Sequence, residues 1–480
     1  MNDRKGFGSN FGFLMAAVGS AVGLGNIWGF PNKMGANGGF PFLILYLALA
    51  LCCGVIIMLG ELALGRKTGH GAVGAYQSIS KRFKWLGWLG IAAAALIFSF
   101  YSALGGYCLR YVVVNFGNLL GAEFGTNGVG GADVFQGLLS QPDLSIAFAL
   151  AFMLITMLVV MSGVGGGIER VCSVGMPALF FILIICIIRS CTLPGAADGL
   201  KYMFVPGWAV ANGIIDEAPG FWRVLTAAGG QMFFSLSLGA GVMITYGSYL
   251  DKKQDLGKST MIIVGMDTVV ALMAGLCVIP GRFALDPNGA LGGPELLFIT
   301  MQNVFDKMGP AGPVFGILFY LLVFFAAISS SISMLEVIVA HFCDKAREKG
   351  KGDRRKLYSA IAVVICAALC ALVCADGMGS NHISPAELLG LAGAKLPGWS
   401  TSWLGLFDSV AEGLLMPLGA LLMCLMISWE LKPDALRQEI LLNGENRPWV
   451  YDFFRLCVKY ITPLCMLMIL YGQISDFFIV

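Results

Sequence analysis

Three groups of residues in this 480-residue chain combine types and spacings that suit chemistry away from water. In the first, Asn26 follows Gly19, Gly23 and Gly25 in FGFLMAAVGSAVGLGNIWGFP, and Ser235 and Ser237 lead into Gly239 and Gly241 in FFSLSLGAGVMITYGSYL. Glycine is a poor helix former, so both stretches are expected to unwind. A broken helix offers N–H groups to an anion and carbonyls to a cation. The second group is acidic: Glu61, Asp267 and Glu336 stand inside apolar runs, where an acid is costly and by default functional. The third is the hydroxyl run ISSSIS at 328–333, an oxygen source for a hard cation, although serine also bonds its own helix backbone. Close helix packing is the ordinary use of glycine in a membrane bundle. Two such helices, each with polar side chains in its glycine stretch, point instead to a site. Enzymatic groupings are missing: His70, His341 and His382 fall in loops or at span ends, and no nucleophile or metal constellation converges. No GxxxxGK[ST] loop is present, which excludes an ATP-driven pump on this one chain.

The elements that must position these residues are membrane helices. The chain is 57% hydrophobic and 12% charged, with a mean hydropathy of +0.79. A soluble protein carries about 25% charged residues, so a large soluble enzyme and a disordered chain are both excluded. A net charge of +2 leaves no basic footprint for nucleic acid. The 14 cysteines lie mostly in apolar runs such as LALALCCGVIIML and read as packing residues. A span needs about 20 apolar residues. Eleven candidates fall near 11–30, 40–64, 86–115, 146–163, 171–189, 221–250, 259–281, 313–343, 357–375, 404–430 and 451–472. The first is read as a retained helix and not a signal peptide. With the N-terminus inside, 23 of the 31 lysines and arginines collect on the cytoplasmic side, and eleven spans place Val480 outside. The outer segments hold only short amphipathic pieces, such as GPELLFITMQNVFDKMG, which is expected to form a helical hairpin or cap. The whole of 1–480 is therefore one transmembrane domain. Its two interrupted helices, at the start of the chain and half a chain later, predict inverted repeats over about 11–189 and 221–430, with 451–472 as one further helix.

Four segments carry a resemblance to a known family: GSAVGLGNIWGFP, NGGFPFLILY, QMFFSLSLGAGVMITYGSY and FFAAISSSISMLE. In this order they resemble the neurotransmitter:sodium symporter family, from about Arg4 to the last span. Ending after eleven spans is similar to a prokaryotic subgroup of it. The resemblance implies a sodium-coupled amino-acid symporter in a prokaryotic cytoplasmic membrane. It also implies two five-helix inverted repeats and alternating access by rocking of helices 1, 2, 6 and 7. Two sodium sites are implied. The first matches Ala21, Asn26, Ser235 and Asp267; the second matches Gly19, Val22, Ala326, Ser329 and Ser330. Animal members hold chloride beside a neutral residue where this chain has Asp267, so the built-in carboxylate implies transport without chloride.

For the substrate, the family's monoamine carriers place an acid where this chain has Gly23, so a zwitterion fits better than a bare ammonium ion. Its carboxylate would meet the first sodium ion, the N–H groups near Leu24 and Gly25, and the Tyr101 hydroxyl. Its ammonium would meet carbonyls near Ala21, Phe234 and Ser237. The side chain would lie among Ile97, Tyr101, Phe234, Ser237, Ala240, Ser330 and Met334. Ala240 stands where a bacterial member has a bulky aromatic residue, which implies room for a large aliphatic or aromatic amino acid.

The cytoplasmic gate matches Arg4, Phe7, Ser248, Tyr249 and Asp344. The outer gate departs from the family, which has Arg at the position of Gly29. Lys33 with Asp408 or Glu412 is one replacement; Tyr101 and Phe234 stacking over the substrate is another. Glu61 matches a family carboxylate that accepts from freed backbone N–H groups, and Glu336 is expected to do the same or to take a proton. A non-transporting or proton-coupled member of the fold, acting as a channel or ligand sensor, stays open as the alternative. Nothing in the chain fixes an oligomeric state.

Overall fold

The computed structural model describes residues 6–286, 295–390, 398–441 and 448–478. Among them every regular element is helical. Ser9 starts the first helix, α1 (Asn10–Ala21), by accepting from the Gly12 N–H at 2.9 Å. Val22 then turns extended, with φ −73° and ψ 102°. The chain resumes as α2 (Gly25–Ala36), bent by 44° from α1. The span expected over 11–30 thus runs on past Pro31 to Ala36. A π-helical turn at Gly25–Gly29 lets the Phe30 N–H reach the Gly25 carbonyl. That shift of hydrogen-bond register just before Pro31 lets the helix continue despite the missing N–H.

The membrane helices that follow are α3 (Phe40–Thr68), α4 (Lys81–Leu120), α5 (Pro142–Met161) and α6 (Val164–Cys191). The second broken span is α7 (Phe221–Ser235) and α8 (Val242–Gly247). Between them the backbone turns left-handed at Ser237 (φ 53°), Gly239 (φ 78°) and Gly241 (φ 73°). Two of these positions need glycine for that reason; Ser237 holds the conformation without that freedom. Beyond lie α9 (Leu256–Leu285), α10 (Gly309–Glu348), α11 (Arg355–Gly379), α12 (Trp403–Leu431) and α13 (Pro448–Ser475).

Nine of these helices are long and apolar enough to cross a membrane unbroken, and the bent pair α1 and α2 adds a tenth. The pieces α7 and α8, 15 and 6 residues long, fall short singly, so the eleventh span rests on reading them as one. Several helices outrun their expected bounds, since polar end turns extend past the apolar core: α4 covers 81–120 against 86–115, and α10 covers 309–348 against 313–343. The outer piece anticipated as a cap is helical over Leu296–Thr300 and Met301–Lys307; its first two residues lie outside the described part of the chain. The longest helices, α4 and α10, pack along each other at the centre of the bundle.

Candidate functional site

The two helix breaks face each other across the middle of the bundle. Around them the structure assembles three groups.

Asp267 of α9 is fully buried. Its Oδ1 accepts from Asn26 Nδ2 at 2.8 Å, and its Oδ2 from Ser235 Oγ at 2.9 Å and Tyr46 OH at 3.3 Å. Asn26 also donates to the Asp267 carbonyl at 3.0 Å. The Asn26 Oδ1 accepts from the Gly23 N–H at 3.0 Å and so braces the break from within. Ala21 is the buried last residue of α1, directly before the break. Among the described residues no lysine or arginine pairs with Asp267. Its charge is met by neutral donors alone, an arrangement that calls for a cation nearby.

The second group joins α10 to the end of α1. Ser329 Oγ lies 3.0 Å from the Ala326 carbonyl and 3.4 Å from that of Val22. Ser330 Oγ lies 3.3 Å from the Gly19 carbonyl, 3.1 Å from Ser20 and 3.4 Å from Val22. Gly19 and Val22 lie at and just before the break, so these oxygens converge because the helix ends there. The set is carbonyls and hydroxyls only, the chemistry of a hard monovalent or divalent cation. Among the described residues no three His, Cys, Asp or Glu gather as a transition metal requires.

The third group lines the space between the breaks. The Leu24 N–H donates to the Tyr101 hydroxyl at 2.7 Å. A Cβ at Gly23 would stand 2.2 Å from Ser330 Oγ and 2.5 Å from Tyr101 OH, so only glycine fits. A Cβ at Gly25 would meet the Phe234 ring at 2.9 Å. Ser237 Oγ donates to the Ser20 carbonyl at 3.0 Å, tying the second break to the first. Ile97 lies one turn before Tyr101, and Met334 one turn after Ser330, so each shares a helix face with its neighbour; both are buried. Ala240 is buried in the second break, its carbonyl 3.0 Å from where a Cβ of Gly90 would sit. The Tyr101 and Phe234 rings lie side by side, tilted at 56° with centroids 6.3 Å apart.

Two of the residues expected at the outer end meet in the structure. Lys33 Nζ pairs with Glu412 Oε1, while Asp408 lies one turn earlier on α12. Gly29 leaves room for Gln231, whose Oε1 would be 2.9 Å from a Cβ there and whose Nε2 donates to the Gly25 carbonyl at 2.6 Å.

At the other end Phe7 packs edge-on against Phe13, Tyr246 and Tyr249, with centroids 5.4, 5.6 and 6.2 Å away. Asp344 accepts from the Gly71 N–H at 3.1 Å, and Arg4 lies outside the described residues. Ser248 Oγ returns to its own chain at the Thr245 carbonyl, 2.6 Å away. Glu61 accepts from the freed Gly239 N–H at 2.7 Å. For Glu336 the first of its two expected roles is corrected: among the described residues its partners are side chains and not freed backbone N–H groups. Its Oε2 accepts from Arg355 Nη1 at 2.5 Å, and its Oε1 from Arg355 Nη2 at 3.0 Å and Tyr249 OH at 2.5 Å. The short link between α10 and α11 returns Arg355 to this acid, a closeness that spacing along the chain does not reveal.

Tyr46, Gln231 and Glu169 went unassigned in the sequence. Tyr46 closes the motif NGGFPFLILY and Gln231 opens QMFFSLSLG, which marks both as belonging to the site without giving their direction. Glu169 accepts from the Gly8 N–H at 2.7 Å and Ser9 Oγ at 2.9 Å, holding the head of α1 to α6.

The sodium:neurotransmitter symporter family model matches residues 4–129 and 132–478. The uncharacterized sodium-dependent transporter YhdH of Bacillus subtilis is 36% identical over 477 residues, covering 97% of each chain. An uncharacterized sodium-dependent transporter of Methanocaldococcus jannaschii is 30% identical over 459 residues, 91% of this chain and 84% of that one. Among solved structures, MhsT in complex with L-phenylalanine superposes with a TM-score of 0.83 at 34% identity, over 98% of this chain and 100% of that one. Two helices broken at one level, with an unpaired buried acid and a shell of carbonyls and hydroxyls between them, thus come with whole-chain similarity: the chain belongs to the sodium:neurotransmitter symporter family and is a multi-pass sodium-coupled transporter, not an enzyme.

Proposed function

We propose that the chain is a chloride-independent symporter that carries a large neutral amino acid, aliphatic or aromatic, with sodium by alternating access. The observation that carries this reading is Asp267, a buried carboxylate among neutral donors beside the first helix break. On this reading one sodium ion binds with Asn26, Ser235, Asp267 and the Ala21 carbonyl. A second binds among the carbonyls of Gly19, Val22 and Ala326 with Ser329 and Ser330. The substrate carboxylate takes the Leu24 and Gly25 N–H groups and the Tyr101 hydroxyl. Its ammonium takes carbonyls of the broken helices near Ala21, Phe234 and Ser237. No charged side chain stands among Ile97, Phe234, Ala240 and Met334, which supports an uncharged substrate side chain. The L-phenylalanine in the MhsT structure supports an aromatic one. The cavity of about 910 Å³ bounded by Gly163, Val164, Tyr249 and Arg355 suits a release route on the side where positive charge collects. The N-terminus is then cytoplasmic.

Thermal unfolding of the detergent-purified protein tests this reading. Across the twenty amino acids, a few large neutral ones are expected to raise the midpoint in sodium and not in potassium at equal ionic strength. No sodium-dependent shift with any amino acid would refute it. Gly23→Ala provides an internal control. Its methyl would overlap Ser330 Oγ and Tyr101 OH, an overpacking that costs about 1–3 kcal/mol. Affinity for the responding amino acid is expected to fall at least about tenfold, and the ligand-free midpoint is expected to fall as well, since the clash is present without ligand. An unchanged Kd by isothermal titration would place the substrate elsewhere.

A further inference from the structure

We propose that a groove between α3, α9 and α13 binds one anionic phospholipid. The groove encloses about 510 Å³, within the range of ordinary ligand pockets. Val55 and Leu59 of α3 and Trp449 and Phe453 of α13 form its apolar walls, and Lys258 and Thr260 of α9 its remaining edge. The groove takes the middle turns of α3, between Leu51 and Leu59, and the end of the molecule at which both α9 and α13 begin. Positive charge places that end at the cytoplasmic leaflet.

Two polar features set this groove apart from an ordinary furrow in a lipid-facing surface. The Thr260 hydroxyl is fully buried, lines the groove and has no hydrogen-bond partner in the structure. A buried hydroxyl without a partner is costly. The exposed Lys258 ammonium forms no ion pair among the described residues. The one acid in the lining, Asp255, caps α9 by accepting from the Lys258 N–H at 3.0 Å.

The occupant follows from where the groove opens and from the order of its groups. Its outer rim is Met261, Phe453 and Trp449, all exposed and apolar, so it faces the bilayer, and a bilayer molecule reaches it most directly. From the membrane surface inward the groove presents a cation at Lys258, a hydroxyl donor at Thr260 about 3 Å deeper along α9, and then hydrocarbon walls. A phospholipid presents the matching sequence: phosphate, ester carbonyl, acyl chain. Trp449 lies at the headgroup level, where indole rings concentrate.

Native mass spectrometry of the full chain in detergent, with dioleoylphosphatidylglycerol or dioleoylphosphatidylcholine added in equal amounts, tests the proposal. One phosphatidylglycerol per chain is expected to survive activation that strips phosphatidylcholine. Lys258→Glu, at an exposed position that leaves folding intact, is expected to lower its retention roughly tenfold. Thr260→Trp, which fills the groove, is expected to remove the retained copy. Equal retention of the two lipids, or retention unchanged by Lys258→Glu, would mean annular lipid only and overturn the proposal.

Discussion

Asp267→Asn is expected to cut sodium-dependent amino-acid uptake by roughly 100-fold or more in chloride-free medium. That is the scale of an effect that leaves a buried charge without its partner. The substitution keeps the shape and the room for Asn26, Ser235 and Tyr46 around it, so its chief consequence is the loss of one negative charge from a water-free site. On the proposed reading that charge is the counter-ion of the first sodium ion. The original protein is expected to take up substrate equally in chloride and in gluconate. The Asn variant is expected to recover part of its activity when chloride is restored, because a mobile anion then supplies what the side chain no longer does. Uptake into proteoliposomes under the two anions reads both arms. A chloride requirement in the original protein, or an Asn variant indifferent to chloride with full activity, would sink the account.

Arg355→Met is expected to have the second largest effect, and on stability more than on affinity. The Glu336 side chain is fully buried and Arg355 is 11% exposed. Removing the guanidinium leaves a carboxylate inside the bundle with only the Tyr249 hydroxyl. Breaking a buried pair in this way costs about 3–5 kcal/mol, and the unfolding midpoint should fall by several degrees. The double variant Glu336→Gln with Arg355→Met is expected to recover most of that loss, since neither charge is then stranded. A single variant as stable as the parent, or a double variant no better than the single, would show that the pair is not the clasp its geometry describes.

The contrast between these two acids shows how much the sequence made legible. Asp267 stands out because a carboxylate in an apolar run has few other readings, and the family resemblance implies its grouping with Asn26 and Ser235. Glu336 stands out for the same reason, but its ion-pair partner does not. Its partner is 19 residues away across a reversal of the chain, and neither period nor composition encodes that distance. Lys33 was half legible. Asp408 and Glu412 are one turn apart on the same helix face, so only the axial register of α2 against α12 decides between them. The first span outruns its expected end at residue 30 because a π-helical turn absorbs Pro31, where a proline ordinarily ends a helix. Tyr46 and Gln231 stand in the matching motifs, but the rotation of a helix about its axis, which aims them, is a tertiary property.

The 44° bend between α1 and α2 has a mechanical consequence. Gly8 and Ser9 fasten the head of α1 to Glu169, and Lys33 fastens α2 to Glu412. Each arm runs 12 residues, about 18 Å, from a fulcrum at the two non-helical residues Val22 and Gly23. The arrangement is a two-armed lever pinned at both tips. Unpinning one tip frees that arm to swing about the fulcrum while the other stays fixed, so each end of the molecule can move without dragging its opposite. A straight helix of the same length would act as a single rod, and release at either tip would pull on both.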